Sequence, residues 1–297
     1  MDIKLIQAAL KIPVTGIYDE LTESAVKNFQ LKNNLPPSGV VDNSTAEILL
    51  SSQMDGLIST DLNENPLEIK QRFLSKGQYI DQKTKKRAIF LHFTAGWDNP
   101  YNVIADWERD KRGPIGTHFV IGGENAQTLT GKYDGEIVQS LPNYDVYAWH
   151  LGIGNVPLHR ESIGIEVCSF GPLTLKNDKF YNVYKREVNS ACAIDLGKDF
   201  RGHRYYQRFT ELQLQSVKTL ILKLANELDI DVRKGTQEFL KNIDPFVSFD
   251  FNANVRNDNI KTGLFLHTQV SPKNKFGHYE KWDCPPQPEL IELIKQL

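Results

Sequence analysis

Arg87-Ala88-Ile89-Phe90-Leu91-His92-Phe93-Thr94-Ala95-Gly96 is the stretch on which the fold turns. A short apolar run, Ala88 to Leu91, ends in a histidine and passes into a Thr-Ala-Gly turn. That is the signature of a buried strand whose last side chain emerges at the sheet edge. The same ending recurs in Gly263-Leu264-Phe265-Leu266-His267-Thr268, again Phe-Leu-His leading into a Thr and a turn. Two imidazoles at the ends of parallel strands can converge on one cation, and imidazole suits zinc. A catalytic zinc takes three protein ligands and keeps one position open. The third ligand is therefore sought after His267. Lys281-Trp282-Asp283-Cys284-Pro285-Pro286 lies there, with a double proline that stops any regular element, and His278 stands nearby. His118, His159 and His203 carry no comparable signal and read as structural.

Working outward, the apolar patterns alternate between strand and helix. Residues 117–123 (THFVIGG) read as a strand, joined through a hairpin to 134–142 (DGEIVQSLP). Residues 161–171 (ESIGIEVCSFG) form a third strong strand, β-branched and bounded by glycine. Helices are expected over Pro100–Asp110 and over Leu212–Leu228, the latter with one apolar face (Leu212, Val217, Leu220, Ile221, Leu224, Leu228) and capped by Thr210 with Glu211. The fold class that follows is α/β, a central mixed β-sheet flanked by helices with its site at the strand ends. A charge inside Ile163-Gly164-Ile165-Glu166-Val167 is costly unless paired or working, so Glu166 is a candidate catalytic group. No role is readable for 229–262.

The first fifty residues have a different character. Gly16-Ile17-Tyr18-Asp19-Glu20-Leu21-Thr22 returns as Gly39-Val40-Val41-Asp42-Asn43-Ser44-Thr45, and Gln7 returns as Gln30 at the same offset. With helical stripes at Leu5, Ile6, Ala9, Leu10 and at Leu21, Ala25, Val26, Phe29, this predicts a small three-helix domain. The expected division is 1–52 for this domain, 53–80 for a polar linker and 81–297 for the α/β domain. The 297 residues carry a formal net charge of −2, so no basic surplus points to nucleic acid. No apolar run reaches the ~20 residues of a membrane span. The start lacks the features of a secretory signal, which implies synthesis in the cytoplasm. Cys168, Cys192 and Cys284 are too few and too scattered for a disulfide framework.

The N-terminal repeat resembles the peptidoglycan-binding domain 1 family over nearly its whole length. The larger domain resembles the zinc-dependent N-acetylmuramoyl-L-alanine amidases, a family that includes the peptidoglycan-recognition proteins. The resemblance rests on FLHFTAG, THFVI, AWHLG (148–152), SIGIEV, the late strand-His-Thr loop and Asp-Cys-Pro, which appear in family order. It implies a peptidoglycan hydrolase that cuts between N-acetylmuramic acid and L-alanine. It implies Zn2+ held by His92, His267 and either Asp283 or Cys284, with Glu166 as base. The family's alternative base position, a Tyr before His-Phe, is Thr117 here. The family's catalytic lysine stands two residues before the third ligand. That spacing selects Lys281 with Asp283, whereas the following proline selects Cys284. Because 274–280 (NKFGHYE) looks inserted, Lys273 and Lys275 compete with Lys281. His150 of AWHLG is expected to line the cleft and touch substrate. Peptidoglycan is the expected partner of a monomer acting on the cell wall, an endolysin released through a holin if phage-encoded. A wall-binding protein without catalysis and a stem-peptide endopeptidase are the competing readings.

Overall fold

The computed structural model describes residues 67–297 apart from 153 and 155, and residues 3–49 apart from 4, 5, 8, 9, 11, 13, 14, 34 and 47. Two compact units result, Met1–Leu67 and Glu68–Leu297.

In the first unit, helix α1 (Glu20–Lys32) starts at Asp19, whose carboxylate accepts from the Thr22 amide. Described residues 43–46, 48 and 49 are helical too. Val26 packs on Ile6 and Leu49, with Leu10, Phe29 and Val41 at the margin. Leu5 and Ala9 of the expected stripe lie outside the described residues. Leu21 is exposed rather than inward, because the helix turns its Val26 face to the core. The repeat has a physical basis. The Gln7 amide donates to Thr15 Oγ1, Ile17 O and Thr22 Oγ1 and accepts from the Gly16 amide. Gln30 makes the equivalent bonds to Ser38, Val40 O, Thr45 and the Gly39 amide. Each buried glutamine thus pins one glycine turn to the helix that follows it.

The second unit is built on a six-stranded sheet in the order β1-β4-β3-β5-β2-β11. Its strands are β1 (Ile69–Gln71), β2 (Ala88–Phe93), β3 (Phe119–Ile121), β4 (Ile137–Gln139), β5 (Ser162–Val167) and β11 (Gly263–Leu266). Strands β3, β5, β2 and β11 run parallel, and β4 returns antiparallel to β3. The apolar runs of the three central parallel strands are continuous because both faces of the sheet are covered. Helix α2 (Pro100–Glu108) covers Val120 and Val138 through Ile104 and Trp107. Helix α3 (Val156–Arg160) precedes β5. The expected linker runs too far: β1 pairs with β4 and Leu74 enters the core, so the part from Glu68 belongs to the second unit. Residues 53–66 of that linker lie outside the described residues.

A second sheet was not anticipated. Strands β6 (Pro172–Lys176), β7 (Lys179–Tyr181), β8 (Glu187–Val188), β9 (Ala193–Phe200) and β10 (His203–Gln207) pair antiparallel in the order β8-β7-β6-β10-β9. Its signal is Asn177-Asp178, both at positive φ in the two-residue turn of a hairpin. Helix α4 (Glu211–Leu228) follows, closed at its start by a reciprocal capping box between Thr210 and Gln213, not Glu211. It buries Val217, Leu220, Ile221 and Leu224, whereas Leu212 is exposed. The unassigned stretch 229–262 forms three short helices, α5 (Thr236–Leu240), α6 (Pro245–Ser248) and α7 (Ala253–Arg256). They buttress the turn after β11. Thr268 Oγ1 donates to Phe249 O, Gln269 Nε2 donates to Ser248 O, and the Asn252 amide donates to Gln269 O. Helix α8 (Pro288–Lys295) follows the Asp283 segment. Among the described residues no helix is long and apolar enough to cross a membrane.

Candidate metal centre and active site

Strand register brings the site together. His92 and Glu166 are partners across β2 and β5, and His267 follows Leu266, which pairs with Leu91. Three functional side chains therefore line up on one face at the carboxyl ends of three adjacent parallel strands, where open α/β sheets bind ligands. The loop after β11 turns as a short 3-10 helix (His267–Val270), and the chain returns at Asp283. Nδ1 of His92 stands 2.9 Å from Nδ1 of His267. The Asp283 carboxylate lies 3.1 Å from His267 Nδ1 and 3.8 Å from His92 Nδ1. It also accepts from the Phe93 amide at 3.4 Å. All three residues are buried, and among the described residues they are the group able to share an ion.

The donor set fits a tetrahedral zinc. Donors at the usual bond lengths stand about 3.3–3.6 Å apart, and the three separations here, 2.9, 3.1 and 3.8 Å, straddle that spacing. Protonation agrees with it. Burial, reinforced by the neighbouring His267, holds His92 well below the ordinary histidine value, so its imidazole is neutral. Burial also lowers His267. For Asp283 burial acts upward, but the hydrogen bond from His267 and the charge of Lys281 carry the carboxyl well below the usual range. Two neutral imidazoles and a carboxylate are the ionisation states a metal requires. Cys284 stands at φ 49, buried, its thiol pushed well above its ordinary value by burial and by the charges of Asp283 and Glu166. It takes no part in the cluster.

Behind His92 runs a directional hydrogen-bond chain. His92 Nε2 meets His150 Nδ1 at 3.0 Å, His150 Nε2 meets Ser162 Oγ at 3.1 Å, and Ser162 Oγ donates to Leu158 O. Read from the carbonyl end, each proton has one place to go, and the tautomer leaving His92 Nδ1 free toward the cluster is the one that satisfies every partner. The expectation that His150 lines the cleft does not match its position. It is 8% exposed and sits beneath His92, with Phe90 at its edge. Room for it comes from Gly164, where a Cβ would lie 2.8 Å from Thr117 Cγ2 and 3.0 Å from His150 Nδ1. Ser162 and Gly164 carry no signal as site residues until the register is known.

Glu166 is partly exposed, yet packing around its carboxyl, then the charge of Asp283, push its pKa up to about 8 against the opposing pull of Lys281. Of the three competing lysines, Lys281 is the one whose charge acts on His92, Glu166, His267 and Asp283. Lys273 lies over the Tyr279 ring and Lys275 over Phe276. Two of the three histidines read as structural, His118 and His159, are bound to backbone groups. His118 Nε2 donates to Val146 O, while buried His159 Nε2 donates to Gly152 O and its Nδ1 accepts from the His150 and Leu151 amides.

Comparison with known proteins places this arrangement. The family described as N-acetylmuramoyl-L-alanine amidase matches residues 82–242, more than half of the chain. The chain belongs to this amidase family. A peptidoglycan binding domain matches residues 2–49, the unit with the paired glutamines. Among solved structures, the endolysin amidase LysCS from Clostridium intestinale is 14% identical over 68% of the amidase chain and 82% of its own, with TM-score 0.37. AmpD is 16% identical over 75% and 94% of the two chains, with TM-score 0.37. A mutant endolysin from Bacillus subtilis is 20% identical over 56% and 80%, with TM-score 0.32. No curated protein matches the chain. The amidase is a peptidoglycan hydrolase.

Proposed function

We propose that this amidase is zinc-dependent, that it cleaves the bond between N-acetylmuramic acid and L-alanine, and that it serves as an endolysin. The observation that carries the metal reading is the triangle of His92, His267 and Asp283 at ligand spacing. When bound, zinc supplies Lewis-acid polarisation of the scissile carbonyl and acidifies a water molecule to near neutrality. His92 and His267 would hold the ion through Nδ1 and Asp283 through its carboxylate. His150 keeps the His92 ring in the required tautomer.

Glu166 moves the proton. With a pKa of about 8 the carboxyl is mostly protonated at neutral pH, and its ionised form is the one that accepts a proton from the attacking water and returns it to the leaving amine. Lys281 faces the charge that develops on the carbonyl oxygen, an interaction of the kind worth about 3 kcal/mol. The Met1–Leu67 unit raises the local concentration of wall without adding chemistry. The endolysin assignment draws on two domains directed at one polymer and on the names of the endolysins it is similar to.

The test is digestion of purified sacculi with mass spectrometry of the products. Free stem peptides beginning with L-alanine are expected, lost on chelation and restored by added zinc. In Glu166→Gln, sacculus binding persists while peptide release falls by ~100-fold or more. Fragments cut inside the stem peptide point instead to an endopeptidase, and chelator-resistant activity removes the metal from the mechanism.

A further inference from the structure

Asp283 and Lys281 lie on a segment with little regular structure to hold it. Between the turn at His267–Val270 and Lys281 the chain makes an excursion through 272–280 that is mostly exposed. Among the described residues no backbone hydrogen bond joins 267–271 to 281–284. Besides the His267–Asp283 contact, a side chain from the second sheet joins the two halves of the centre. Arg201 sits at φ 52 in the Arg201-Gly202 turn between β9 and β10, and its guanidinium is fully buried. Nη2 donates to Thr268 O at 2.6 Å and Ser271 O at 3.0 Å, just past His267. Nη1 donates to Lys281 O at 2.7 Å, two residues before Asp283. Nε donates to Asp250 at 2.9 Å, and the Tyr279 ring lies 4.6 Å from the guanidinium carbon. In return, Trp282 Nε1 donates to the Arg201 carbonyl, and the His203 ring meets the Trp282 edge.

We propose that Arg201 is a positioning residue of the active centre. It joins the His267 turn to the Lys281–Asp283 segment and so sets metal affinity and the placement of the cation, a role that rests on the His92–His267–Asp283 metal reading. A buried guanidinium is suited to this. Its planar fork offers five donors in fixed directions, enough to satisfy three carbonyls and a carboxylate at once, whereas an ammonium at this position reaches fewer of them. Asp250 neutralises the buried charge and is itself held by Tyr279 Oη at 3.1 Å. The second sheet thereby becomes part of the centre, although none of its residues reaches the metal ligands themselves.

The experiment uses the full chain and its Arg201→Lys and Asp250→Asn variants. Folding is followed by near-UV circular dichroism and thermal melting, and zinc affinity by competition with a chromophoric chelator. kcat and KM are measured on a soluble muropeptide. For a folded Arg201→Lys the expected result is a zinc affinity lowered by ~10–100-fold, with kcat reduced more than KM is raised, and hydrogen exchange faster in 267–284 but not in β2. Asp250→Asn moves the same quantities by less. Wild-type zinc affinity in a folded Arg201→Lys overturns the proposal, as does wild-type affinity in Asp250→Asn should the lysine variant not fold. A wild-type chain that takes up no zinc overturns the metal reading, and the proposal with it.

Discussion

Asp283 and Cys284 are neighbours of nearly equal appeal in the sequence, and the backbone separates them. At Asp283 the side chain enters the imidazole pair, while Cys284 stands at a left-handed φ of 49 with its thiol buried and outside the cluster. Asp283→Ala is therefore expected to lose more zinc affinity than the ~10–100-fold typical of an outer partner. Cys284→Ala keeps wild-type zinc affinity and shows only a modest loss in melting temperature. Chelator competition on the two purified variants checks this, and equal losses would return the thiol to the ligand set. The same scale explains the reassignment of His150. Its spacing to other motifs says that it belongs to the site, but only the strand partners show which nitrogen it serves.

Elements decide more than single residues do, and Gly164 shows how. It is the position in β5 where Thr117 and His150 occupy the space that a side chain would fill. Gly164→Ala is expected to cost about 1–3 kcal/mol through overpacking and to weaken zinc binding as His150 is displaced from His92. Thermal melting and chelator competition read the two effects, and a variant unchanged in both would show that the approach is slack. Much of this level was legible beforehand. The parallel strands ending in His92 and His267, the strand of Glu166 and the helix before residue 229 announce themselves by apolar continuity and period. Strand β1 does not, because an exposed three-residue edge strand has no pattern of its own. The second sheet was missed since its hairpins are mostly polar outside, and only Asn177-Asp178 and Arg201-Gly202 mark the turns. Arg201 illustrates the remainder. Its partners are distant in sequence, and no local pattern encodes them.

The second unit as a whole carries an acid sensitivity. His118 and His159 each use Nδ1 to accept backbone N–H groups, an arrangement that protonation would oppose. Burial brings their pKa values down to about 3 and about 4. An unfolded histidine binds a proton near pH 6.5, so below that pH the unfolded chain holds protons the folded one refuses. The stability from these groups is complete above pH 6.5 and declines toward pH 4 for His159 and pH 3 for His118. Each contributes up to about 1.4 kcal/mol per pH unit in its window. A melting temperature falling steadily between pH 7 and pH 4.5 is expected, with a shallower slope in His159→Gln. An identical slope in that variant would place the sensitivity elsewhere.

Chain order gives the centre a schedule. The Met1–Leu67 unit precedes the second unit, the two imidazoles arrive on strands far apart, and Asp283 follows both. Chains fold from the N-terminus as they are made. A nascent or truncated molecule can thus own a finished wall anchor and both histidines while lacking the carboxylate, the cation beside it and the segment that Arg201 grips. Competence therefore waits until Asp283 has been made, and fragments ending before it are expected to occupy wall sites without cutting them.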